Sequence, residues 1–133
     1  MPADVTKNPA WFTKAIETKY TDQNVDVDGV NIHYLLWGKE GDSEKNEKPG
    51  LIFVHGNGAH AHWWAFIAPF FINEYQVAAI DLAGAGDSDY CETYTVDIFA
   101  KQIASVADDC GFGNDTLVIG HSFGGFLTLS AGL

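Results

Sequence analysis

Arginine is absent from the 133 residues, and seven lysines stand against 18 acidic side chains, for a formal net charge of −11. A chain so poor in cations does not suit a phosphate backbone, and its field repels anionic membrane surfaces and anionic substrates. The expected partner is therefore a small neutral molecule, with no nucleic acid and no membrane. Cysteine is scarce too: Cys91 and Cys110 stand far apart with no C-x-x-C pair, which excludes a disulfide framework and a zinc knuckle. Long hydrophobic runs are missing. The longest, Trp63 to Ile72, includes Pro69 and falls well short of the about 20 residues that span a bilayer. Asp4, Lys7, Lys14, Glu17 and Lys19 interrupt the N-terminal stretch, leaving no apolar core for a secretion signal. A soluble, cytoplasmic protein is expected.

What the chain does contain is 47% apolar and 14% aromatic residues with 19% charged, a globular composition rather than a disordered one. Its length suits one domain of the usual ~100–200 residues. Asn31 to Trp37 alternates as a strand, reached from Val25–Asp28 through a tight Asp28-Gly29 turn, so the chain should open with an antiparallel pair. A charged loop covers Lys39 to Pro49. Leu51–Val54, Gln76–Leu82 and Thr116–Gly120 are short apolar runs of the kind found in strands buried on both faces.

Between them, His62 to about Asn73 has the bulk of a helix, bent or started by Pro69. Val96, Phe99, Ile103, Val106 and Cys110 trace one helical stripe, with Thr95 or Thr93 as N-cap and Gly111 just past the end. Phe123 to Leu133 is apolar and helix-compatible. Strands alternating with helices imply an α/β fold, a largely parallel sheet with helices on both faces.

Two loops carry chemistry. Gly120-His121-Ser122-Phe123-Gly124 matches G-x-S-x-G between a strand and a helical segment, where a serine on a sharp turn projects its hydroxyl clear of the sheet. Gly120 and Gly124 keep side chains out of the turn. The helix start after Ser122 offers unpaired N–H groups where an oxyanion would develop. His55-Gly56-Asn57-Gly58 ends another strand at the same edge of the sheet, the edge at which ligands of open parallel sheets bind. The Asn57 backbone N–H, or second to it that of Gly58, would join the Phe123 N–H in a two-donor oxyanion hole.

These motifs together resemble the α/β-hydrolase superfamily, in its serine-nucleophile, esterase-like branch. His55-Gly56-Asn57-Gly58 is similar to the family's oxyanion element. Asp81-Leu82-Ala83-Gly84-Ala85-Gly86-Asp87-Ser88 is similar to its D-x-x-G-x-G-x-S loop, and Ser122 falls on the nucleophile position. The resemblance covers residues 22–133 as a hydrolase core, with 1–21 as an N-terminal extension. It implies five strands in the order 1-2-4-3-5 and an acyl-enzyme mechanism on a small neutral ester, amide or related substrate. Aspartate-nucleophile members such as haloalkane dehalogenases and epoxide hydrolases are disfavoured by Ser122. Asp81 and Ser88 should brace the loop that Gly84 and Gly86 turn.

The family's triad continues from serine to an acid and then a histidine, yet the eleven residues after Ser122 contain neither. The sequence thus reads as the N-terminal half of such an enzyme, inactive or very weak by itself. The alternative is a non-catalytic binding or interaction module. The strand at 116–120 would form an open apolar edge, so self-association or a complementing C-terminal fragment is the expected macromolecular partner.

The histidines do not supply a base. His121 should pack beneath the elbow, His60 and His62 line the pocket mouth, His55 holds its loop by hydrogen bonds, and His33 is an ordinary strand residue. His55, His60 and His62 lack the spacing of a metal site. Gly84-x-Gly86 is followed by Asp89 where a dinucleotide fingerprint has its third glycine. Neither a metal nor an organic cofactor is expected.

Overall fold

The computed structural model describes residues 7–38 and 48–130. The expected charged loop, apart from Lys48 and Pro49, and the last three residues lie outside the described residues. Helix α1 spans Ala10–Ile16, and strands β1 and β2 span Tyr20–Val27 and Val30–Trp37. After β3 (Gly50–Val54) come two 3₁₀ turns, Ala61–Trp64 and Ala68–Phe71, and then β4 (Gln76–Ile80). Helix α2 (Val96–Cys110), β5 (Leu117–Gly120) and α3 (Phe123–Ser130) complete the order.

The five strands form one sheet in the order β1-β2-β4-β3-β5, the order implied by the resemblance. The sheet is mixed rather than largely parallel. β2 runs antiparallel to both β1 and β4, while β3 is parallel to β4 and to β5. The opening hairpin turns through Asp28 (φ 53°) and Gly29 (φ 86°), the two left-handed residues a two-residue turn needs to match strand twist. β1 starts at Tyr20, ahead of the expected Val25. Its residues through Asp26 are mostly polar and exposed, so an edge strand leaves little apolar signal there.

Strand alternation divides the core in two. Ile32, Tyr34, Leu36, Ile52, Val54, Ala78 and Ile80 meet Phe99, Ile103 and Val106 of α2 and Leu127 of α3. On the other face Leu35, Trp37, Leu51, Phe53, Val77 and Ala79 meet Ala61, Ala68, Trp64 and Phe71. Helix α2 has the predicted bounds. Thr95 Oγ1 accepts the Ile98 N–H at 3.1 Å, and Gly111 closes the helix at φ 74°.

Three expectations differ from what is found. The helix expected over 62–73 is two 3₁₀ turns, with Ala65, Ile67 and Phe70 N–H groups bonded three residues back. Pro69 cannot donate to an α-helical ladder and breaks it there. The strand at 117–120 is not buried: Leu117 is 48% and Ile119 42% exposed, because β5 is the last strand of the sheet and only β3 pairs with it. Helix α1 has no counterpart in the sequence pattern. It buries only Ala15 and so presents no stripe to read.

Candidate active site

Parallel register sets the geometry of the site. Val54 of β3 stands opposite Ile80 of β4 and Gly120 of β5, so the three strands end level. The segments that follow them, His55–Gly58, Asp81–Gly86 and His121–Phe123, meet at one edge.

The elbow after β5 is tight. His121 N–H extends the ladder to Val54 O at 3.0 Å, Ser122 takes φ 55°, and Phe126 N–H returns to Ser122 O at 3.0 Å as α3 begins. A left-handed serine is strained by about 1–2 kcal/mol, and close packing on both sides maintains it. A Cβ on Gly120 would strike the Gly124 backbone, and a Cβ on Gly124 would strike the carbonyl oxygens of Val54 and His55. No side chain other than hydrogen fits at either position. Ser122 is exposed, and no described side chain bonds its hydroxyl.

Gly56 packs on the elbow, its Cβ position 3.2 Å from His121 Nδ1 and 3.4 Å from Ser122 Cβ. The chain then turns, with Ala59 N–H bonded to Gly56 O at 3.1 Å and Gly58 at φ 76°. Asn57 and Gly58 thus border a cavity of about 360 Å³ together with His60, Ala83, Phe99 and Phe123. The proposed oxyanion donors Asn57, Gly58 and Phe123 share this cavity. His60 lies on its wall, but His62 does not reach it. His62 sits in the first 3₁₀ turn, its ring 5.8 Å from that of Tyr20. His121 is exposed rather than packed beneath the elbow and opens onto a second, apolar cavity of about 220 Å³ with Trp63, Trp64 and Phe66. Strand alternation and the edge position explain this: His121 continues the Leu117–Ile119 side of β5, opposite Val118, and is exposed as they are because β5 is the last strand of the sheet.

Hydrogen bonds from buried groups hold the two walls. His55 Nδ1 donates to Gly56 O at 2.8 Å, and Nε2 accepts the Leu82 N–H at 3.1 Å. The ring is therefore neutral, and burial lowers its pKa despite the Gly56 carbonyl. Asp81, 1% exposed, accepts the Ala61 N–H on Oδ1 at 2.7 Å and the Asp87 N–H on Oδ2 at 3.0 Å. Ser88 Oγ donates to Asp81 O at 2.6 Å and accepts His33 N–H at 2.8 Å. Gly86 must lack a side chain because a Cβ would enter the Asp81 carboxylate, and one on Gly84 would lie 2.9 Å from the Tyr94 hydroxyl. Gln102 of α2 accepts the Ala83 N–H at 3.0 Å.

His33 is the residue that sequence reasoning missed. Far from ordinary, it is 3% exposed and bonded through Nδ1 to Asp81 Oδ2 at 2.7 Å and through Nε2 to Asp22 Oδ1 at 2.8 Å. One signal was present: it shares a strand face with buried Leu35 and Trp37, where a polar ring requires partners. His33, Asp81 and Asp87 are the one group among the described residues with potential cation ligands within 4.8 Å of one another. The first two are committed to each other, and Asp81 already accepts two amides.

A model of the family described as alpha/beta hydrolase matches residues 51–133. Mouse epoxide hydrolase 4 is 32% identical over 102 residues, covering 74% of this chain and 26% of its own length. The uncharacterized hydrolase YugF of Bacillus subtilis is 31% identical over 112 residues, 80% of this chain and 37% of its own. In structure, epoxide hydrolase A of Mycobacterium thermoresistibile superposes with a TM-score of 0.75 at 24% identity, covering 86% of this chain and 35% of that one. That last likeness is one of fold. The chain thus spans about a quarter to a third of the length of these relatives. With the family model covering well over half of the sequence, strand order and elbow in agreement, the chain belongs to the alpha/beta hydrolase family.

Proposed function

We propose that this chain carries the nucleophile and oxyanion hole of a serine hydrolase that works through an acyl-enzyme on a small neutral ester, amide or related substrate. The observation that carries the reading is Ser122 at φ 55°, exposed and strained between two glycines that tolerate no Cβ. Ser122 Oγ would attack the carbonyl carbon, and the backbone N–H groups of Phe123 and Asn57, with Gly58 as the other donor on that turn, would receive the oxyanion. His60 would meet the substrate at the cavity wall.

The relatives named epoxide hydrolases raise a second chemistry, opening of an epoxide. Serine suits it poorly. Attack of a hydroxyl on an epoxide carbon leaves an ether, which has no carbonyl for water to attack, whereas an acyl-serine is an ester that water can cleave. Ser122 therefore favours acyl transfer. A cytoplasmic location belongs to the same proposal, supported by the scarcity of cysteine, two in 133 residues with no paired spacing. Among the described residues no helix is long and apolar enough to cross a membrane.

A second reading, a non-catalytic interaction module, has its own support. Within these 133 residues Ser122 has no acid or histidine after it. Leu117, Ile119, Phe126 and Leu129 of β5 and α3 are exposed, a surface suited to self-association or to a complementing segment. Labelling with a fluorophosphonate, with and without added imidazole, separates the two. Under the hydrolase reading Ser122 is phosphonylated, imidazole acting as external base accelerates it, and Ser122→Ala abolishes it. Absence of labelling in a folded chain, with imidazole present, favours the interaction module.

A further inference from the structure

The bonds of His33 fix its charge by geometry. Each ring nitrogen faces a carboxylate oxygen, Nδ1 toward Asp81 and Nε2 toward Asp22. An ionised carboxylate only accepts, so both nitrogens donate and the ring is an imidazolium. The charged groups that face it are Asp22 from β1 and Asp81 and Asp87 from the segment after β4; all are acidic. Burial pulls the pKa of His33 down, but the bonds to Asp81 and Asp22 outweigh it and raise the value.

Asp81 is the point where this charge meets the cavity. Its Oδ1 holds the Ala61 amide, four residues beyond Asn57, and its Oδ2 holds the Asp87 amide, one residue beyond Gly86. One buried carboxylate thus ties the 55–61 wall to the 82–87 wall. An anion so buried is costly without a counter-charge, and among the described residues His33 is the only ion-pair partner of Asp81.

We propose that the His33 imidazolium is a positioning residue of the candidate site: its charge-assisted bond to Asp81 Oδ2 orients that carboxylate, so that it clamps the two cavity walls together, and Asp22 keeps His33 charged. The proposal rests on the reading of that cavity as the place where a substrate carbonyl is held. Its consequence is a site that loosens as pH rises and His33 loses its proton. Then one carboxylate-facing nitrogen becomes an acceptor, and the Asp81 bonds to Ala61 and Asp87 weaken.

The test uses the full 133-residue chain, with histidine ¹⁵N shifts and amide hydrogen exchange followed against pH, exchange being corrected for intrinsic base catalysis. Wild type should show His33 with both nitrogens protonated at neutral pH and a midpoint above the ordinary value of 6.5. Through that midpoint, exchange of the Ala61 and Asp87 amides should quicken about tenfold while the β3–β4 ladder stays protected. Asp22→Asn alters a side chain that is 61% exposed, so the fold tolerates it. It should lower the midpoint and carry the onset of exchange with it. A purely structural role for His33 would not make exchange at Ala61 follow a change at Asp22. A neutral ring at pH 7, a midpoint that Asp22→Asn leaves in place, or exchange that ignores the titration overturns the clamp. None of these readouts involves Ser122, so a chain that fails to be phosphonylated yet shows the coupled titration refutes the hydrolase reading and leaves the clamp standing.

Discussion

Gly124→Ala should separate steric necessity at the elbow from mere tolerance. The new methyl would sit on the carbonyl oxygens of Val54 and His55, backbone atoms at and just past the end of β3 that cannot swing aside as a side-chain tip can. Restoring van der Waals separation requires α3 to move out by about 1 Å. Overpacking costs about 1–3 kcal/mol, and a backbone obstacle places this case at the upper end. Alanine regains about 1 kcal/mol of helix propensity over glycine, leaving a net loss of about 2 kcal/mol. In a domain of this size that lowers the melting temperature by about 8 °C. The neighbour Gly125 is the control: a Cβ there lies 3.1 Å from Gly120 O, tight but able to relax, so its strain and its propensity gain nearly cancel. Gly125→Ala should stay within about 0.5 kcal/mol of wild type. Urea unfolding followed by circular dichroism reads both. Because α3 carries the Phe123 N–H, Gly124→Ala should also slow phosphonylation of Ser122 by about 10²-fold. Equal stabilities for the two variants, or the reverse order, would refute the packing argument.

Ser122→Gly removes the hydroxyl and the left-handed strain together; strain of about 1–2 kcal/mol less about 0.4–1 kcal/mol of unfolded-state entropy predicts a gain of about 0.5–1 kcal/mol in the same unfolding assay, with all labelling lost. Tyr34→Phe breaks the 2.6 Å bond from the buried phenol to Asp109 on α2 and should cost about 1.5 kcal/mol, the low end for a bond to a charged group because Asp109 is exposed. Two histidines shape the stability profile in opposite directions. His33, raised above 6.5, contributes stability that is complete below 6.5 and lost as pH climbs through its folded value; His55, lowered below 6.5, makes the unfolded state bind more protons as pH falls below 6.5 and so reduces stability there. Urea midpoints measured from pH 5 to 8 should therefore peak near 6.5 in the histidine contribution, and Asp22→Asn should bring the alkaline decline to lower pH.

Much of this is legible in the sequence because the informative residues act locally. Thr95 and Gly111 bound α2 through contacts within one turn, and Asp28-Gly29 makes its hairpin in two residues. The elbow glycines are equally local, and their order along the chain with His55–Gly58 and Asp81–Ser88 places three loops at one edge once the strands are parallel. Tertiary relations stayed hidden. Asp22, His33 and Asp81 come from three segments joined only by sheet pairing, and nothing in their spacing announces a bridge. The direction of His121 follows strand alternation from Leu117 and Ile119, but its exposure depends on β5 being the last strand of the sheet. Exposure of β5 follows from its place at the end of the sheet, whereas composition alone makes it look buried.

The central claim is that Ser122 is built for acyl transfer, and it is tested most directly by treating the folded chain with p-nitrophenyl acetate and with a simple epoxide, then mapping adducts by peptide mass spectrometry. Without a described base to drive deacylation, the account predicts an acetyl group that accumulates on the peptide carrying Ser122, disappears in Ser122→Ala, and has no alkyl counterpart from the epoxide. Acetylation confined to exposed lysines, or an epoxide adduct on Ser122 in place of the acetyl, would contradict it.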